Sequence, residues 1–260
     1  MRENKLTDAM VSTDHETQIW KSRFQLAKAA CESGKYKEAE GLLYKALEQA
    51  HNLTEHVFAT NTCLVGLAVV YFLLGKPDEA AKQVEEAMRA LSRADEPALK
   101  ELYGVALRIH AELLCDSGKV TAASDELEKA ALALESIGMQ GAVQLAYVLS
   151  DLAMLRVQQG ELNEAKQLIY SAMDLLPGPP SSDKSEYLRA DMIYNICQTT
   201  DQKEMLSELE NRITKMQYHL GQKHPNVIRA VRWYLKKLYE QGDTEQLREA
   251  EVKFGIGKKK

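Results

Sequence analysis

Histidine and cysteine are the residue types through which this sequence could bind a transition metal or perform nucleophilic chemistry. The histidines are His15, His51, His56, His110, His219 and His224. No two of them are four residues apart, the spacing that places two imidazole rings on one face of a helix. The cysteines are Cys31, Cys63, Cys115 and Cys197. Because no two cysteines form a C-x-x-C pair, we predict no metal site and expect reduced, buried thiols in a cytoplasmic protein.

The sequence lacks the motifs of the common catalytic and nucleotide-binding sites. It contains no phosphate loop, no dinucleotide-binding glycine motif, no H-E-x-x-H and no G-x-S-x-G. Cys31 and Cys115 are the candidate nucleophiles, although neither has a partner histidine that the sequence identifies. His110 falls on the packed face of its helix, where it is expected to serve core packing. We therefore predict that the protein is not an enzyme, with no catalytic residue and no cofactor.

Composition and charge favour a globular helical protein. Hydrophobic residues make up 45% of the 260 residues, and few segments alternate as strands do. The net charge is −5 and the only basic run is the terminal "GKKK", so we predict no nucleic-acid partner. No secretory leader is recognisable, and the longest apolar run, "CLVGLAVVYFLLG", has thirteen residues. A helix needs about 20 apolar residues to cross a bilayer, so we also predict no membrane partner.

Short glycine-led segments recur along the chain at a nearly constant interval. The hexapeptides "GKYKEA", "GKPDEA", "GKVTAA", "GELNEA" and "GDTEQL" begin at Gly34, Gly75, Gly118, Gly160 and Gly242. The steps between them are 41, 43, 42 and 82 residues. Because 82 is twice 41, we predict a degraded copy between the last two, with Asp201 in the place of the glycine.

Alanines keep the same register around the first four glycines. They stand seven residues before, five after and twelve after each glycine, at Ala27, Ala39, Ala46, Ala68, Ala80, Ala87, Ala111, Ala123, Ala130, Ala153, Ala165 and Ala172. Small side chains at fixed positions allow two helices to approach closely. Larger apolar residues, such as Leu26, Leu43 and Leu47, are expected to fill the remaining core of the first copy.

Each copy is predicted to be a helix, a tight turn and a second helix. The glycine ends the first helix, because glycine adopts a positive φ at little cost. One helix pair cannot bury its apolar face alone, so we expect the pairs to stack as an all-α solenoid. We predict six pairs, at about residues 17–50, 57–92, 98–136, 141–176, 184–220 and 225–254.

The repeat resembles the tetratricopeptide repeat, and its period of about 42 residues resembles the kinesin-light-chain type. The likeness rests on "SGKYKEAEGLLYKALEQA", "LVGLAVVYFLLGKPDEA" and "LGQKHPNV". The last of these is similar to the linker between repeats of this type, with Pro225 at the start of a helix. The likeness covers roughly residues 17–254. It implies a right-handed superhelical solenoid of about six antiparallel helix pairs that binds other proteins.

The same reading divides the chain into segments. Residues 1–16 are expected to be a flexible segment or a cap, and residues 17–176 to hold four regular pairs. A proline- and serine-rich stretch at 177–186 is either a simple loop or a hinge. Residues 187–254 are expected to hold two divergent pairs, and residues 255–260 form a basic tail.

The resemblance places a concave groove on the first helices, ten and six residues before each turn. The residues at or beside those places are Phe24, Lys28, Val65, Val69, Arg108, Glu112, Ser150, Met154, Asp191, Asn195, Arg229, Arg232 and Lys236. The middle of this set is apolar and the last repeat is basic. Such a surface suits a short amphipathic or acidic peptide.

Two functions fit these features. The first is a non-catalytic scaffold or adaptor that binds a protein or peptide in the groove. The alternative is a regulatory sensor whose array closes on a signalling peptide and switches a partner protein, and compaction on binding would distinguish it. Val252, Phe254 and Ile256 are apolar residues near the C-terminus, and they leave a homodimer through the terminal helices open.

Overall fold

The structure is a computed structural model that describes residues 2–176, 184–199 and 201–255, with side chains described from residue 15 onward. This part of the chain contains twelve α-helices, one short 3-10 helix (Gly138–Gly141) and no strand. The α-helices are α1 (Arg2–Glu32), α2 (Tyr36–Ala50), α3 (His56–Leu73), α4 (Pro77–Leu91), α5 (Pro97–Asp116), α6 (Val120–Glu135), α7 (Ala142–Gln159), α8 (Leu162–Leu175), α9 (Ser185–Ile196), α10 (Gln202–Leu220), α11 (Pro225–Gln241) and α12 (Thr244–Lys253).

The predicted all-α array of helix pairs is confirmed. The predicted ends of the six pairs agree with the observed ones to within one residue, except that α1 begins at Arg2. Helix α11 begins with Pro225, as expected, and Nδ1 of His224 accepts a hydrogen bond from the backbone N–H of Asn226 at 3.2 Å. The linker motif therefore caps the first helix of the sixth pair.

The recurring glycines end the first helices as the sequence predicts. Gly34, Gly75, Gly118, Gly160 and Gly242 all have φ between 72° and 82°. After each of the first four, the next residue's N–H bonds to a carbonyl five residues back, as Lys35 does to Ala30 at 2.8 Å. This Schellman arrangement satisfies helix-terminal carbonyls and reverses the chain direction.

The twelve alanines of the repeat pattern are all buried. Each of them is at most 1% exposed. Leu43 is also buried and Leu47 packs partly buried beside the core, both as predicted. The prediction for Leu26 is wrong, because this side chain is 57% exposed. Helix α1 packs against α2 and α3, whereas α3 has helices on both sides. Leu67, at the equivalent place in α3, is therefore fully covered.

The fifth repeat turns without glycine and in a different register from the predicted one. Its turn follows Ile196, and none of the non-glycine residues that the structure describes there has a positive φ. Asp201 has φ −141° and acts as the N-cap of α10, where its carboxylate accepts a hydrogen bond from the N–H of Glu204 at 2.8 Å. The prediction that Asp201 replaces the turn glycine is thus wrong. Gln198 occupies that place, and aspartate here begins the second helix.

Two tyrosine pairs support this register. Tyr44 and Tyr71 join α2 to α3 through their hydroxyls, and Tyr170 donates to the hydroxyl of Tyr194 at 3.5 Å between α8 and α9. Tyr44 and Tyr170 both stand ten residues after a turn glycine. Tyr71 stands four residues before Gly75, and Tyr194 four before Gln198. The same inter-repeat contact therefore occurs twice when the fifth turn is counted from Gln198.

The chain divides into two compact bodies, an N-terminal body (Met1–Val148) and a C-terminal body (Leu149–Lys260). In the N-terminal body, residues 2–16 belong to α1, in the stretch that was expected to be a flexible segment or a cap. The predicted loop at 177–186 lies outside the described residues up to residue 183. The basic tail lies outside them from residue 256.

Helix α3 has 18 residues and is longer than the thirteen-residue apolar run of the sequence. Within the described residues it is the one helix long and apolar enough to cross a membrane by length and composition. The expectation that no segment reaches this length is therefore wrong. However, 61% of its residues are buried inside the protein. Its neighbours α1, α2, α4 and α5 cover it, so α3 serves as the core helix of the N-terminal body.

Candidate partner-binding faces

The predicted groove residues on α1 have different environments. Phe24 is half-buried, and its ring stacks on that of Trp20 with centroids 5.9 Å apart. Trp20 also meets the ring of Phe58 and donates its indole N–H to Sγ of Cys63 at 3.4 Å. Lys28 is exposed, with its ammonium 4.0 Å from the carboxylate of Glu32. Phe24 thus belongs to an aromatic cluster at the edge of the core, and Lys28 faces solvent.

Helix α3 presents an uncharged accessible side. Val65 is buried at 5% exposure, whereas Val69 one turn later is half-buried. Val57 is 40% exposed at the start of the helix. No residue of α3 is Asp, Glu, Lys or Arg, and its accessible positions are therefore apolar or neutral.

Helix α5 contributes one cation and one anion of the predicted groove set, Arg108 and Glu112. The guanidinium of Arg108 lies over the ring of Tyr147, 5.3 Å from its centroid. Glu112 follows one turn later on the same helix and is half-buried. A cation held over an aromatic ring is a flat, charged platform that can stack against another aromatic or bind a carboxylate.

In the C-terminal body, Ser150 is buried and Met154 is half-buried on α7. The neighbouring residue Asp151 forms an ion pair with Arg189 of α9, whose side chain is largely buried. This pair joins the first helices of two successive repeats. Met154 is thus the accessible apolar residue of the predicted set on α7.

Asp191 and Asn195 of α9 are used inside the C-terminal body. The carboxylate of Asp191 accepts hydrogen bonds from Arg212 at 2.8 Å and Lys215 at 3.3 Å, both on α10. The side-chain amide of Asn195 donates to the backbone and carboxylate of Asp191. With the turn counted from Gln198, the positions ten and six residues before it become Leu188 and Met192, which are buried.

Helix α11 carries the remaining predicted residues. Arg229 and Arg232 are half-buried and Lys236 is exposed. Lys237 pairs with Glu240 at 2.7 Å. The helix therefore holds four cationic residues and one anionic residue, in a chain whose net charge is −5.

Trp233 lies between these cations in the sequence of α11. It is 9% exposed, and its indole N–H finds no hydrogen-bond acceptor among the described residues. An orphaned buried donor is a property of the packed structure, and no sequence pattern reveals it. Positions 229, 232, 233 and 236 follow the i, i+3, i+4, i+7 spacing of one helix face.

The side chains that could bind a metal or act as nucleophiles can be located within the described residues. No group of three or more His, Cys, Asp or Glu side chains that could hold a metal occurs among them. The four cysteines are all described, and none forms a disulfide. Burial raises the pKa of Cys63 and of Cys197 to about 11, whereas Cys31 and Cys115 are half-buried. The expectation of buried thiols thus holds for two of the four.

One cleft of about 410 Å³ lies in the C-terminal body. It is formed at the turn between α7 and α8 and at the turn between α9 and α10. Its walls include Val157, Leu162, Thr199, Met205 and Lys237. None of the predicted groove residues lines this cleft.

Residues 19–93, from α1 to just beyond α4, match the profile of the tetratricopeptide repeat family. No curated protein sequence matches the chain. Among solved structures, the crystal structure of BtubC (BKLC) from P. vanneervenii has a TM-score of 0.50 at 16% identity and covers 92% of each chain.

Two crystal structures of a Podosopora anserina protein, described as a putative kinesin light chain with nearly identical TPR-like repeats, are also similar. One of them, a variant with a single substitution, has a TM-score of 0.53 at 18% identity, covering 78% of this chain and 97% of that one. The other has a TM-score of 0.51 at 19% identity, with coverages of 76% and 95%. These likenesses show the fold: the chain is built of tetratricopeptide-type helix pairs. Repeats of this kind generally mediate protein–protein interaction.

Proposed function

We propose that this protein is a non-catalytic scaffold or adaptor that binds an extended segment of a partner protein on its first helices. We call the accessible sides of α1, α3 and α5, and of α7, α9 and α11, the first-helix faces of the two bodies. We further propose a cytoplasmic location, which free thiols at all four cysteines favour.

A contrast between α3 and α4 carries this proposal. The accessible side of α4 holds Asp78, Glu79, Lys82, Glu85 and Glu86, as is usual for a helix that faces water. The accessible side of α3 has no charged residue, although Val57 and Val69 reach the surface. A surface kept free of charge beside a charged one is typical of a site that contacts another protein.

Variation among the repeats supports the same conclusion. The residues six positions before the glycine turns are Lys28, Val69, Glu112, Met154 and Lys236, and all are exposed or half-buried. The alanines that hold each pair together are constant in the first four repeats. Positions that stay accessible while their chemistry differs from repeat to repeat can give each repeat its own contact with a partner.

A pull-down from the native host's lysate tests the proposal. Wild type is compared with Val69→Glu and with Arg232→Glu, each checked for folding by circular dichroism. Matched controls are Gln83→Glu on α4 and Arg248→Glu on α12, which introduce a glutamate on second helices. We expect partners that bind wild type and both controls and are lost from one or both first-helix variants. Partners retained equally by all four variants would overturn the proposal.

A further inference from the structure

Helix α1 exposes side chains at positions that the other repeats cover. Leu26 stands eight residues before its turn and is 57% exposed. At the same place His110 is half-buried, and the other four residues are at most 5% exposed: Leu67, Leu152, Ala190 and Tyr234. Ala29 is exposed five residues before the turn, whereas its counterparts in the next three repeats are buried: Val70, Leu113 and Leu155. We call the side of α1 around Leu26 and Ala29 the head face.

The inner repeats show which element covers such a face. Helix α2, the second helix of the first repeat, packs against α3, and α4 packs against α5. Tyr44 of α2 and Tyr71 of α3 meet through their hydroxyls, ten residues after one turn and four before the next. Tyr234, the counterpart of Leu26 in the last repeat, donates its hydroxyl to Glu210 of the preceding second helix, α10, at 3.2 Å. The side that α1 leaves uncovered is therefore one that receives a second helix in other repeats.

The last helix pair has the complementary exposure. Val252 of α12 stands ten residues after the last turn glycine, at the place that Tyr44 has in the first repeat, and is 81% exposed. Tyr239 of α11 is 74% exposed three residues before the same glycine. In the other five repeats this place is buried or half-buried, with Phe72 at 4% and Val157 at 7%. We call the side of the last pair around Tyr239 and Val252 the tail face.

The head face lacks the charge expected of a helix that ends an array. Terminal helices of repeat arrays usually have a polar outer face that keeps the protein soluble. On α1, five positions with the spacing of one helix face hold no charged residue: Ile19, Ser22, Leu26, Ala29 and Ser33. In the register of the Tyr44–Tyr71 contact, Val252 would meet Ala30, one turn from Leu26. The two faces thus suit each other in register and in apolar character.

We propose that copies of this protein associate head to tail, with α12 of one copy covering the head face of the next copy as α2 covers α3. Such a junction is heterologous, because it joins two different surfaces of the same chain and can add further copies. The inference goes beyond the proposed function and does not rest on it. Leu26 and Val252 test the junction, whereas Val69 and Arg232 test the scaffold.

Two charge substitutions disable the two faces separately. Leu26→Glu alters the head face and Val252→Glu alters the tail face. Both side chains are exposed, so we expect both variants to fold, and circular dichroism checks this. Leu132→Glu on α6 is the matched control, because Leu132 is 67% exposed and belongs to an inner repeat.

Sedimentation equilibrium of the full-length chain over a dilution series measures self-association. We expect the mass of wild type to rise with concentration, and Leu132→Glu to behave like wild type. Leu26→Glu and Val252→Glu should each raise the Kd at least about ten-fold, because each places a charge where an apolar side chain becomes buried. An equimolar mixture of these two variants should form dimers and nothing larger, since one intact head face and one intact tail face remain to meet.

Four results would overturn the head-to-tail junction. The first is a wild type that stays monomeric over the whole series, and the second is an equal effect of Leu132→Glu. The third is a monomeric Leu26→Glu beside a Val252→Glu that associates like wild type, which would indicate pairing of α1 with α1 of a second copy. The fourth is a mixture without dimers, even when both variants are monomeric alone.

The junction and the scaffold fail independently of each other. Val69→Glu should self-associate like wild type, because Val69 lies on α3 and outside both faces. If pull-down partners are lost from Val69→Glu while wild type stays monomeric, the scaffold stands without the junction. If partners are retained by every pull-down variant while the mixture forms dimers, the junction stands without the scaffold.

Discussion

Single small residues determine how closely the paired helices of this protein approach. Ala80 of α4 is fully buried, and α4 packs against α3 and α5. Ala90 lies on the same helix and is exposed. The two positions therefore differ in packing and share their helix and residue type.

We expect Ala80→Leu to lower the free energy of unfolding by about 1–3 kcal/mol, because overpacking forces side chains and backbone to shift. Ala90→Leu should change it by less than about 0.5 kcal/mol. Urea denaturation followed by circular dichroism measures both. Equal effects of the two substitutions would mean that the alanine register does not mark the helix contact.

The cysteines should differ in reactivity according to burial. Burial raises the pKa of Cys63 from 9.0 to about 11, which lowers its thiolate fraction at neutral pH about a hundred-fold. We expect Cys31 and Cys115 to react first with a disulfide reagent, and Cys63 and Cys197 only after denaturant is added. Mass spectrometry of partially labelled protein assigns the order, and early labelling of Cys63 would contradict it.

The same pKa shifts predict a loss of stability at alkaline pH. A thiol whose pKa is raised in the folded state contributes stability that is fully present below pH 9 and is lost as the pH rises through about 11. The free energy of unfolding should therefore fall over this range. Replacing both Cys63 and Cys197 with alanine should make the fall smaller, whereas replacing Cys31 and Cys115 should have less effect. Equal slopes for the two double variants would contradict the assignment.

Sequence reasoning at this scale succeeded where one physical requirement determined the residue. Alanine at a helix contact and glycine at a positive φ are such requirements, and both were located correctly. The prediction that Leu26 is a core residue failed because the exposure of a side chain depends on the number of neighbouring helices. This number differs between the first repeat and the inner repeats. The orphaned N–H of Trp233 was not predictable, because it depends on where other side chains lie.

The turns and caps are the features that shape each helix pair. Gly75 has φ +72° and a methyl group there would meet no atom within 4 Å, so the constraint on this residue is conformational. Gly41 lies inside α2 with open space around it and without a positive φ. The two glycines therefore respond in opposite directions to the same substitution.

Gly75→Ala should destabilise the protein by about 1–2 kcal/mol, the cost of a left-handed conformation for an alanine. Gly41→Ala should stabilise it by about 0.5–1 kcal/mol, because alanine loses less conformational freedom in a helix. Thermal melts of the two variants beside wild type show the signs. Melting temperatures that move in the same direction would contradict the turn assignment.

The fifth repeat shows why its register escaped sequence analysis. Spacing from the neighbouring glycines placed the turn at Asp201, but the repeat has no glycine and its turn comes three residues earlier, at Gln198. Aspartate is common both in turns and at helix N-termini, and composition does not separate the two roles. The predicted residues Asp191 and Asn195 were chosen on the shifted count, and Asp191 is paired with α10.

The Asp151–Arg189 ion pair joins α7 to α9 and gives a test at the scale of elements. Arg189→Met should lower the free energy of unfolding by about 2–3 kcal/mol. This is at or below the smallest cost expected when one partner of a buried ion pair is removed, because the side chain of Asp151 remains 25% exposed. The double variant Asp151→Leu with Arg189→Met should cost less, since it leaves no unpaired charge. A double variant as unstable as the sum of its singles would contradict a coupled pair.

The molecule as a whole is an array of helix pairs whose constant residues build the fold and whose variable residues differ in chemistry. The period, the turns and the alanines made the fold predictable from sequence. The first-helix faces were predictable only as positions, because accessibility and pairing depend on the packed structure. Val65 and Ser150 are buried, whereas Val69, Met154 and Lys236 are accessible.

Site-specific photocrosslinking tests the central claim, that partners bind the first-helix faces, most directly. A benzophenone amino acid is placed at Val69 or Lys236 on first helices, and at Gln83 or Arg248 on second helices. Each variant is irradiated with the partner recovered by pull-down. We predict covalent adducts from Val69 or Lys236 and little or none from Gln83 and Arg248. Adducts formed mainly from Gln83 or Arg248 would contradict binding on the first-helix faces.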